Sequence, residues 1–212
     1  MTEWLCGRVG ESGSVLAIDL DTSLIEGIDR PQLEVRKADV VTEDLGDELY
    51  DLVYVRHTLI HVVERDDVFS RLARSVRPGG WLALVESDFV TWMVDPDSPP
   101  ETVEAFLMWE QRQEQMSEAN GMSRELGRRL PRLLSDAGFE ALDIHGRSNI
   151  VLPGTDRRRM WDLTHAQILD GYVQSGQLTS AQAAAEVNAW ADPRYLQWSA
   201  LDVYALGRRP GS

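Results

Sequence analysis

The chain of 212 residues has 43% hydrophobic and 26% charged side chains, which is sufficient for one sizeable buried core. Its formal net charge of −14 disfavours binding to nucleic acid and to anionic membrane surfaces. The single cysteine, Cys6, excludes an intrachain disulfide and a thiolate metal cluster, and no apolar run approaches the roughly 20 residues of a membrane span. We therefore predict a globular protein of the cytoplasm.

Short apolar runs alternate with polar, helix-forming stretches from residue 14 to residue 85. This alternation is typical of parallel strands that helices cover on both faces, and it predicts an α/β fold. The four runs span residues 15–18, 33–38, 51–55 and 81–85. Polar residues follow the carboxyl end of each run, at the edge where open α/β sheets bind ligands: Asp19, Asp39, Arg56 with His57, and Glu86.

Two amphipathic helices are predicted to pack on this sheet. Apolar residues recur at helical spacing over 68–76 and predict a covering helix between the third and fourth strands. Its arginines are expected to face solvent: Arg71, Arg74 and Arg77. A second helix, 126–137, should end before Gly138, a residue suited to the left-handed conformation at that position.

Two helical stretches, 95–121 and 155–191, interrupt the repeating pattern. We predict that they are insertions over the carboxyl edge of the sheet, where they form a lid. Segments 140–152 and 198–207 alternate in polarity and are predicted to pair as antiparallel edge strands. The basic run 157–159 is expected to be a solvated helix start. Aromatic residues in or beside the insertions would cover an apolar acceptor or pack as core: Trp92, Trp109, Trp161 and Tyr172.

A series of short motifs lies along the chain in a characteristic order. They are residues 8–21, Ala38-Asp39, residues 50–57, the Arg-Pro-Gly-Gly turn at 77–80, residues 133–139 and residues 204–208. In this order and spacing they resemble the motifs of class I S-adenosylmethionine-dependent methyltransferases. The resemblance implies a Rossmann-like, mostly parallel sheet with an antiparallel last strand, and S-adenosylmethionine as the cofactor.

The resemblance also implies which residues bind the adenosine part of the cofactor. Asp19, with Leu20 beside it, would accept hydrogen bonds from the ribose diol. Asp39 would contact the adenine amino group, and the backbone N–H of Val40 would reach a ring nitrogen. The residues themselves leave an alternative open, because aspartate is common at turns and at strand ends.

Arg56 and three histidines are the remaining candidates. The resemblance places Arg56 and His57 against the methionine part of the cofactor, although Arg56 could instead form a surface ion pair with Glu64 or Asp66. A base is needed only where the methyl acceptor is a protonated hydroxyl or amine, and His57 or His165 of the lid would supply it. His57 and His61 lie four residues apart and would share one face of a helix. No third ligand is in register, so we expect no metal site.

The first strand and the glycine-rich loop of the family have no counterpart before residues 2–9, which resemble the helix that follows that loop. In the family this central strand lies between the strands predicted at 15–18 and 51–55. Three arrangements would resolve the gap: direct pairing of the two neighbours, a strand from a homodimer partner or another chain, or a longer reading frame.

These observations favour a single methyltransferase-like domain, 1–212, that transfers a methyl group to a small-molecule acceptor. The alternative is a catalytically inactive subunit that binds a partner chain through its sheet edges, which the missing glycine-rich loop supports. A nicotinamide-dependent oxidoreductase also carries an acid after its second strand, but Asp39 and the turn at 77–80 argue against that class.

Overall fold

The structure is a computed structural model that describes residues 1–211, and it contains six α-helices and nine strands in this range. The helices are α1 (Thr2–Val9), α2 (Arg65–Ser75), α3 (Pro100–Asn120), α4 (Leu126–Asp136), α5 (Asp156–Gln174) and α6 (Ser180–Trp190). The strands are β1 (Val15–Asp19), β2 (Leu33–Lys37), β3 (Tyr50–Arg56), β4 (Val76–Asp88), β5 (Met93–Val94), β6 (Glu140–Arg147), β7 (Ile150–Val151), β8 (Gln197–Trp198) and β9 (Leu201–Arg208).

The strands form three sheets. β1 and β2 are parallel and make a two-stranded sheet, whereas β3, β4, β9 and β6 make a four-stranded sheet in that order. β3 is parallel to β4, and β9 is antiparallel to both of its neighbours. β5, β8 and β7 form a small antiparallel sheet. The Rossmann-like fold with an antiparallel last strand, which the sequence predicted, is confirmed.

Two predicted strand regions differ in extent from the observed strands. β4 begins at Val76 and not at residue 81, because Val76 pairs with Tyr50 before the register shifts. Gly80 permits this, since a Cβ there would lie 3.0 Å from the carbonyl oxygen of Asp51. The two late segments each divide into two strands, and β6 pairs with β9 as predicted.

The inner edges of β1 and β3 are not joined to each other. Within residues 1–211, β1 pairs only with β2 and β3 pairs only with β4. Direct pairing of these two strands, one of the three arrangements considered, is therefore wrong for this part of the chain. Apolar packing still connects the two sheets, because Ile18 and Val41 pack against the core of the larger sheet.

Arg71 supplies a polar connection between the two sheets. Its half-buried guanidinium donates hydrogen bonds to the carbonyl oxygens of Val40, Val41 and Glu43 at 2.6–2.7 Å. The prediction that this side chain simply faces solvent is therefore wrong. Three carbonyl acceptors in the chain that follows β2 hold it instead. Arg77 lies in β4 and not on the helix, and it pairs with Asp51.

The main core lies between the four-stranded sheet and the helices α2 and α4. Leu126, Leu130 and Leu134 recur on one face of α4 and are each at most 2% exposed. The helix approaches the sheet closely at Gly127, where a Cβ would lie 2.8 Å from the backbone of β4. Gly138 follows the helix with φ of 79°, which confirms the predicted left-handed position.

The two predicted insertions pack against each other through helices α3, α5 and α6. They share a second hydrophobic core: Ala105, Trp109, Leu169, Tyr172, Leu178, Trp190 and Tyr195. A buried ion pair between Arg112 of α3 and Glu186 of α6, at 2.5 Å, joins the two insertions. In the range 1–211 no helix has both the length and the apolar character that a bilayer crossing requires.

Arg158 is buried at the start of α5, so the prediction of a solvated basic run is wrong at this position. Its side chain is 8% exposed, donates to the carbonyl oxygen of Trp190, and pairs with Asp162 at 2.7 Å. The end of α6, which is distant in sequence, supplies the carbonyl partner. The guanidinium also lies 5.4 Å from the ring centroid of Tyr195.

Replacing Arg158 with methionine is expected to lower the free energy of unfolding by about 1–3 kcal/mol, because the carbonyl of Trp190 would lose its buried partner. The matched control is Arg159→Met, at an exposed position one residue further along α5, which should change the unfolding free energy by less than about 0.5 kcal/mol. Urea denaturation followed by circular dichroism measures both variants. Equal losses would contradict the assigned role of Arg158.

Candidate functional site

The carboxyl ends of β1 and β2 bring Asp19 and Asp39 to one edge of their sheet. The two strands are parallel and in register from Val15 opposite Leu33 to Asp19 opposite Lys37. Asp19 is exposed and Asp39 is half-buried. Two acidic side chains that sequence analysis predicted at this edge therefore follow neighbouring strands.

Each of these carboxylates also shapes its own turn. The Oδ1 atom of Asp19 accepts from the backbone N–H of Asp21 at 3.1 Å, and Oδ1 of Asp39 accepts from that of Val41 at 2.9 Å. The turn-forming alternative is thus observed for both residues. These bonds use one oxygen of each carboxylate, which leaves Oδ2 for a ligand. Leu20 is 65% exposed.

Arg56 and His57 lie at the end of β3. Arg56 is exposed, and neither of the ion pairs considered for it, with Glu64 or Asp66, forms within residues 1–211. His57 has a left-handed backbone with φ of 48°, and its N–H donates to the carbonyl of Val85 at 2.9 Å. A non-glycine residue in this region is strained and is common at functional turns.

The environment of His57 favours the neutral imidazole. Burial lowers the pKa of His57, and the nearby Asp202 carboxylate opposes this effect only in part. Asp202 is itself hydrogen-bonded by the hydroxyl of Ser87 at 2.6 Å. A neutral imidazole can accept a proton, which suits the role expected for His57.

His57 and His61 do not share a helix face, so that prediction is wrong. His57 ends the strand in its left-handed turn, and His61 ends the short 3₁₀ helix Leu59–His61. The turn replaces the helical path that a four-residue spacing assumes. In the described part of the chain, no group of three or more His, Cys, Asp or Glu side chains is arranged to hold a metal ion.

Glu86 is the residue at this edge that sequence analysis did not assign to the site. Its side chain is fully buried, and Oε1 accepts from the backbone N–H groups of Thr58 at 3.1 Å and Leu59 at 2.8 Å. Oε2 is buried with no hydrogen-bond partner within residues 1–211. Burial raises the pKa of Glu86 to about 7. Glu86 therefore fixes the turn that follows Arg56 and His57.

In the sequence, only the position of Glu86 directly after an apolar run indicated that it lies at this edge. Asp88, two residues further along β4, is also buried and accepts from Arg128 of α4 at 2.5 and 2.8 Å. The carboxyl end of β4 is thus lined by buried acids with specific partners.

His165 lies in α5, within the second predicted insertion, and not at the end of a strand. Its ring is 3% exposed in α5, among Trp92, Trp109 and Trp161, which sequence analysis associated with the lid. Tyr172 belongs to the second hydrophobic core, and its hydroxyl donates to the backbone carbonyl of Arg112 at 3.4 Å. The two candidate bases thus occupy different parts of the chain.

The residues present fit one half of S-adenosylmethionine better than the other. The carboxylates of Asp19 and Asp39 each keep an acceptor oxygen, which suits the donor groups of ribose and adenine. Arg56 and His57, which the resemblance places against the methionine half, lie at the carboxyl end of β3, in the other sheet. A glycine-rich backbone cradle for that half is not among residues 1–211 at this edge.

Comparisons with known proteins agree with this architecture. Residues 1–84 match a family model described as a methyltransferase domain. An uncharacterised 37.1 kDa protein in a transposon of Streptomyces fradiae is 30% identical over 141 residues, which cover 64% of this chain and 39% of that protein. Phosphoethanolamine N-methyltransferase 1 of Triticum aestivum is 24% identical over 149 residues, which cover 68% of this chain and 27% of that enzyme. The chain thus spans less than half the length of either relative.

A solved structure extends the similarity of fold beyond residue 84. A candidate methyltransferase from Bacillus halodurans superposes with a TM-score of 0.52 and 16% identity, over 93% of this chain and 83% of that one. Residues 1–84 thus match the methyltransferase-domain family, and the fold over most of the chain is similar to that of the candidate methyltransferase from Bacillus halodurans.

Proposed function

We propose that this chain is a cytoplasmic, single-domain enzyme unit that transfers a methyl group from S-adenosylmethionine to a small-molecule acceptor. One observation carries the proposal: Asp19 and Asp39 end neighbouring parallel strands, in the order along the chain that this family uses for adenosine. Arg56 ends the next strand and His57 follows it, so the proposed cofactor-binding residues lie at carboxyl strand ends.

The proposed binding roles follow from the chemistry of each side chain. Asp19 accepts hydrogen bonds from the ribose hydroxyls, beside the backbone of Leu20, and Asp39 accepts from the adenine amino group, beside Val40. The exposed guanidinium of Arg56 pairs with the carboxylate of the methionine part. When bound, S-adenosylmethionine supplies an electrophilic methyl group on a sulfonium.

His57 is the proposed proton acceptor where the methyl acceptor is a hydroxyl or an amine. Burial lowers the pKa of its imidazole, which favours the neutral form, and Glu86 accepts from the backbone of the residues that follow its left-handed turn. Orientation of the acceptor supplies much of the rate enhancement, because the leaving thioether needs no proton. His165 is the second candidate base, in the lid.

Calorimetric titration with S-adenosylhomocysteine tests the proposal. We expect saturable binding by the parent, and Asp19→Ala should weaken it about 10- to 100-fold, since hydrogen bonds to a charged group contribute about 1.5–3 kcal/mol. The control is Asp21→Ala, an exposed acid whose carboxylate only accepts from the N–H of Ser23. Equal weakening by both variants, or no binding by the parent, would overturn the proposed cofactor site.

The second candidate function is a catalytically inactive subunit that acts with a partner chain. β1 and β3 each pair on one side only within residues 1–211, and this favours addition of a strand from another chain or a second copy. Size-exclusion chromatography with light scattering would then give a dimer or a complex, while the parent alone would show no heat with S-adenosylhomocysteine.

A further inference from the structure

Arg71 of α2 binds the backbone of the segment that follows β2. We call residues 39–43 the post-β2 turn. The Nη1 atom of the half-buried Arg71 donates to the carbonyl oxygen of Glu43 at 2.7 Å. Its Nη2 atom donates to the carbonyl oxygens of Val40 at 2.7 Å and Val41 at 2.6 Å. All three acceptors are main-chain atoms of one turn, so the guanidinium restrains the path of the backbone there.

Asp39 organises the same turn through its own hydrogen bonds. Its carbonyl oxygen accepts from the backbone N–H groups of Thr42 at 3.0 Å and Glu43 at 2.8 Å. Its carboxylate oxygen Oδ1 accepts from the N–H of Val41 at 2.9 Å. The N–H of Val40, which is the group expected to reach the adenine ring, is not one of these three donors. The turn therefore presents two groups toward the proposed adenine site, the second carboxylate oxygen of Asp39 and the amide of Val40.

One peptide unit connects Arg71 to the carboxylate of Asp39. Its carbonyl, from Val40, accepts from Arg71, and its N–H, from Val41, donates to Oδ1 of Asp39. A trans peptide unit is planar, and its C=O and N–H point in opposite directions. Because the unit turns as a rigid plane, holding the carbonyl toward the guanidinium also holds the N–H toward the carboxylate. Arg71 thereby restrains the orientation of the Asp39 side chain through the backbone.

Two neighbouring arginines make different contacts. Arg36 of β2 pairs with the side chain of Glu43 at 2.7 Å, so it holds the far end of the post-β2 turn by a side chain. Arg74, one helical turn after Arg71 in α2, is exposed and pairs with Asp47 at 3.5 Å, outside the turn. An exposed ion pair of this kind contributes little to stability. Arg74 therefore offers a matched control for Arg71 on the same helix.

We propose that Arg71 is a positioning residue of the cofactor site, and that it holds the Asp39 carboxylate and the amide of Val40 in the orientation that selects adenine. The adenine amino group donates to Oδ2 of Asp39. A base with a carbonyl oxygen in place of that amino group would bring a second acceptor against the carboxylate. The preference for adenine therefore depends on the turn that Arg71 holds. This inference rests on the proposed function, because it concerns how that site recognises the adenosine half.

Calorimetric titration with two ligands measures this preference. S-adenosylhomocysteine is compared with S-inosylhomocysteine, in which a carbonyl oxygen replaces the adenine amino group. The parent should bind S-adenosylhomocysteine at least about tenfold more tightly. Arg71→Met should weaken S-adenosylhomocysteine about tenfold and S-inosylhomocysteine less than about threefold, because the inosine ligand does not use the Asp39 acceptor. The control Arg74→Met should leave both affinities unchanged.

Amide hydrogen exchange, followed by NMR on the free protein, measures the positioning without any cofactor. In Arg71→Met the amide of Val41, whose acceptor is the Asp39 carboxylate, should exchange about tenfold faster than in the parent. The amide of Leu82, fully buried in an inner strand of the four-stranded sheet, should exchange at the parent rate. If Arg71→Met fails to fold, Arg71→Lys keeps the charge but has its donors on one nitrogen, and it should lower the ligand preference at least about threefold.

The contrary outcomes separate this inference from the proposed function. Equal weakening of both ligands by Arg71→Met, or equal acceleration of the Val41 and Leu82 amides, would show that Arg71 supports the fold as a whole and would overturn the inference. A full preference for adenine in Arg71→Met would overturn it as well, while S-adenosylhomocysteine binding by the parent upheld the proposed function. A parent that binds neither ligand would instead overturn the proposed function itself.

Discussion

The parent protein should lose stability as pH rises from 4.5 to about 7, and replacing Glu86 with glutamine should abolish this loss. Burial raises the pKa of Glu86 over that interval, so the folded protein binds the proton more tightly than the unfolded chain does. The stabilisation that protonated Glu86 contributes to the folded protein is therefore complete below pH 4.5 and is lost as pH rises through about 7. The shift corresponds to about 3 kcal/mol. Glutamine keeps an oxygen for Thr58 and Leu59 and cannot ionise.

Urea unfolding at a series of pH values measures this effect. The quantity to compare is the difference in unfolding free energy between Glu86→Gln and the parent, since the lowered pKa values of His57 and His165 change stability in the opposite direction. Glu104→Gln, at an exposed position on α3, is the control and should give a difference that varies little with pH. A pH-independent difference for Glu86→Gln would contradict the assigned role of this carboxyl.

Replacing Gly127 with alanine should lower the free energy of unfolding by about 1–3 kcal/mol. The added Cβ would lie 2.8 Å from the backbone of Glu86, Ser87 and Asp88, none of which can move as a flexible side chain would. The steric cost exceeds the gain in helix propensity that alanine normally brings, which is about 0.5–1 kcal/mol.

Gly171→Ala is the matched control for this substitution. Gly171 lies inside α5, and a Cβ there would meet no atom within 4 Å, so alanine should stabilise the protein by about 0.5–1 kcal/mol. The two alanine variants thus differ in the sign of their effect on the denaturation midpoint. Stabilisation by both would show that α4 does not approach β4 as closely as described.

The strands and the principal edge of the site could be predicted from sequence because their signals are local. The apolar runs and the acids that follow them, Asp19 and Asp39, lie within a few residues of each other in the chain. Parallel pairing then requires their carboxyl ends to meet. The extents of the strands were less predictable, since Val76 joins β4 through pairing with a distant residue, Tyr50.

The roles of Glu86 and Arg158 depend on partners far away in sequence. Glu86 accepts from Leu59, 27 residues earlier, and Arg158 donates to the carbonyl of Trp190, 32 residues later. Neither the polarity pattern nor the residue spacing indicates such contacts. Glu86 was therefore interpreted as a strand end and Arg158 as a solvated charge. His57 shows a different limit, because its left-handed turn overrides the helical path that its spacing to His61 suggested.

The Arg71 contacts have a mechanical consequence for the crevice. Because no backbone ladder joins β1 to β3 in residues 1–211, the distance from Asp19 and Asp39 to Arg56 depends on side-chain packing and on this one guanidinium. Contacts between side chains are broken more easily than a continuous ladder of backbone hydrogen bonds. The spacing of these strand ends is thus set by apolar packing and by the hydrogen bonds of Arg71, and loss of the Arg71 side chain would remove the polar part of that restraint.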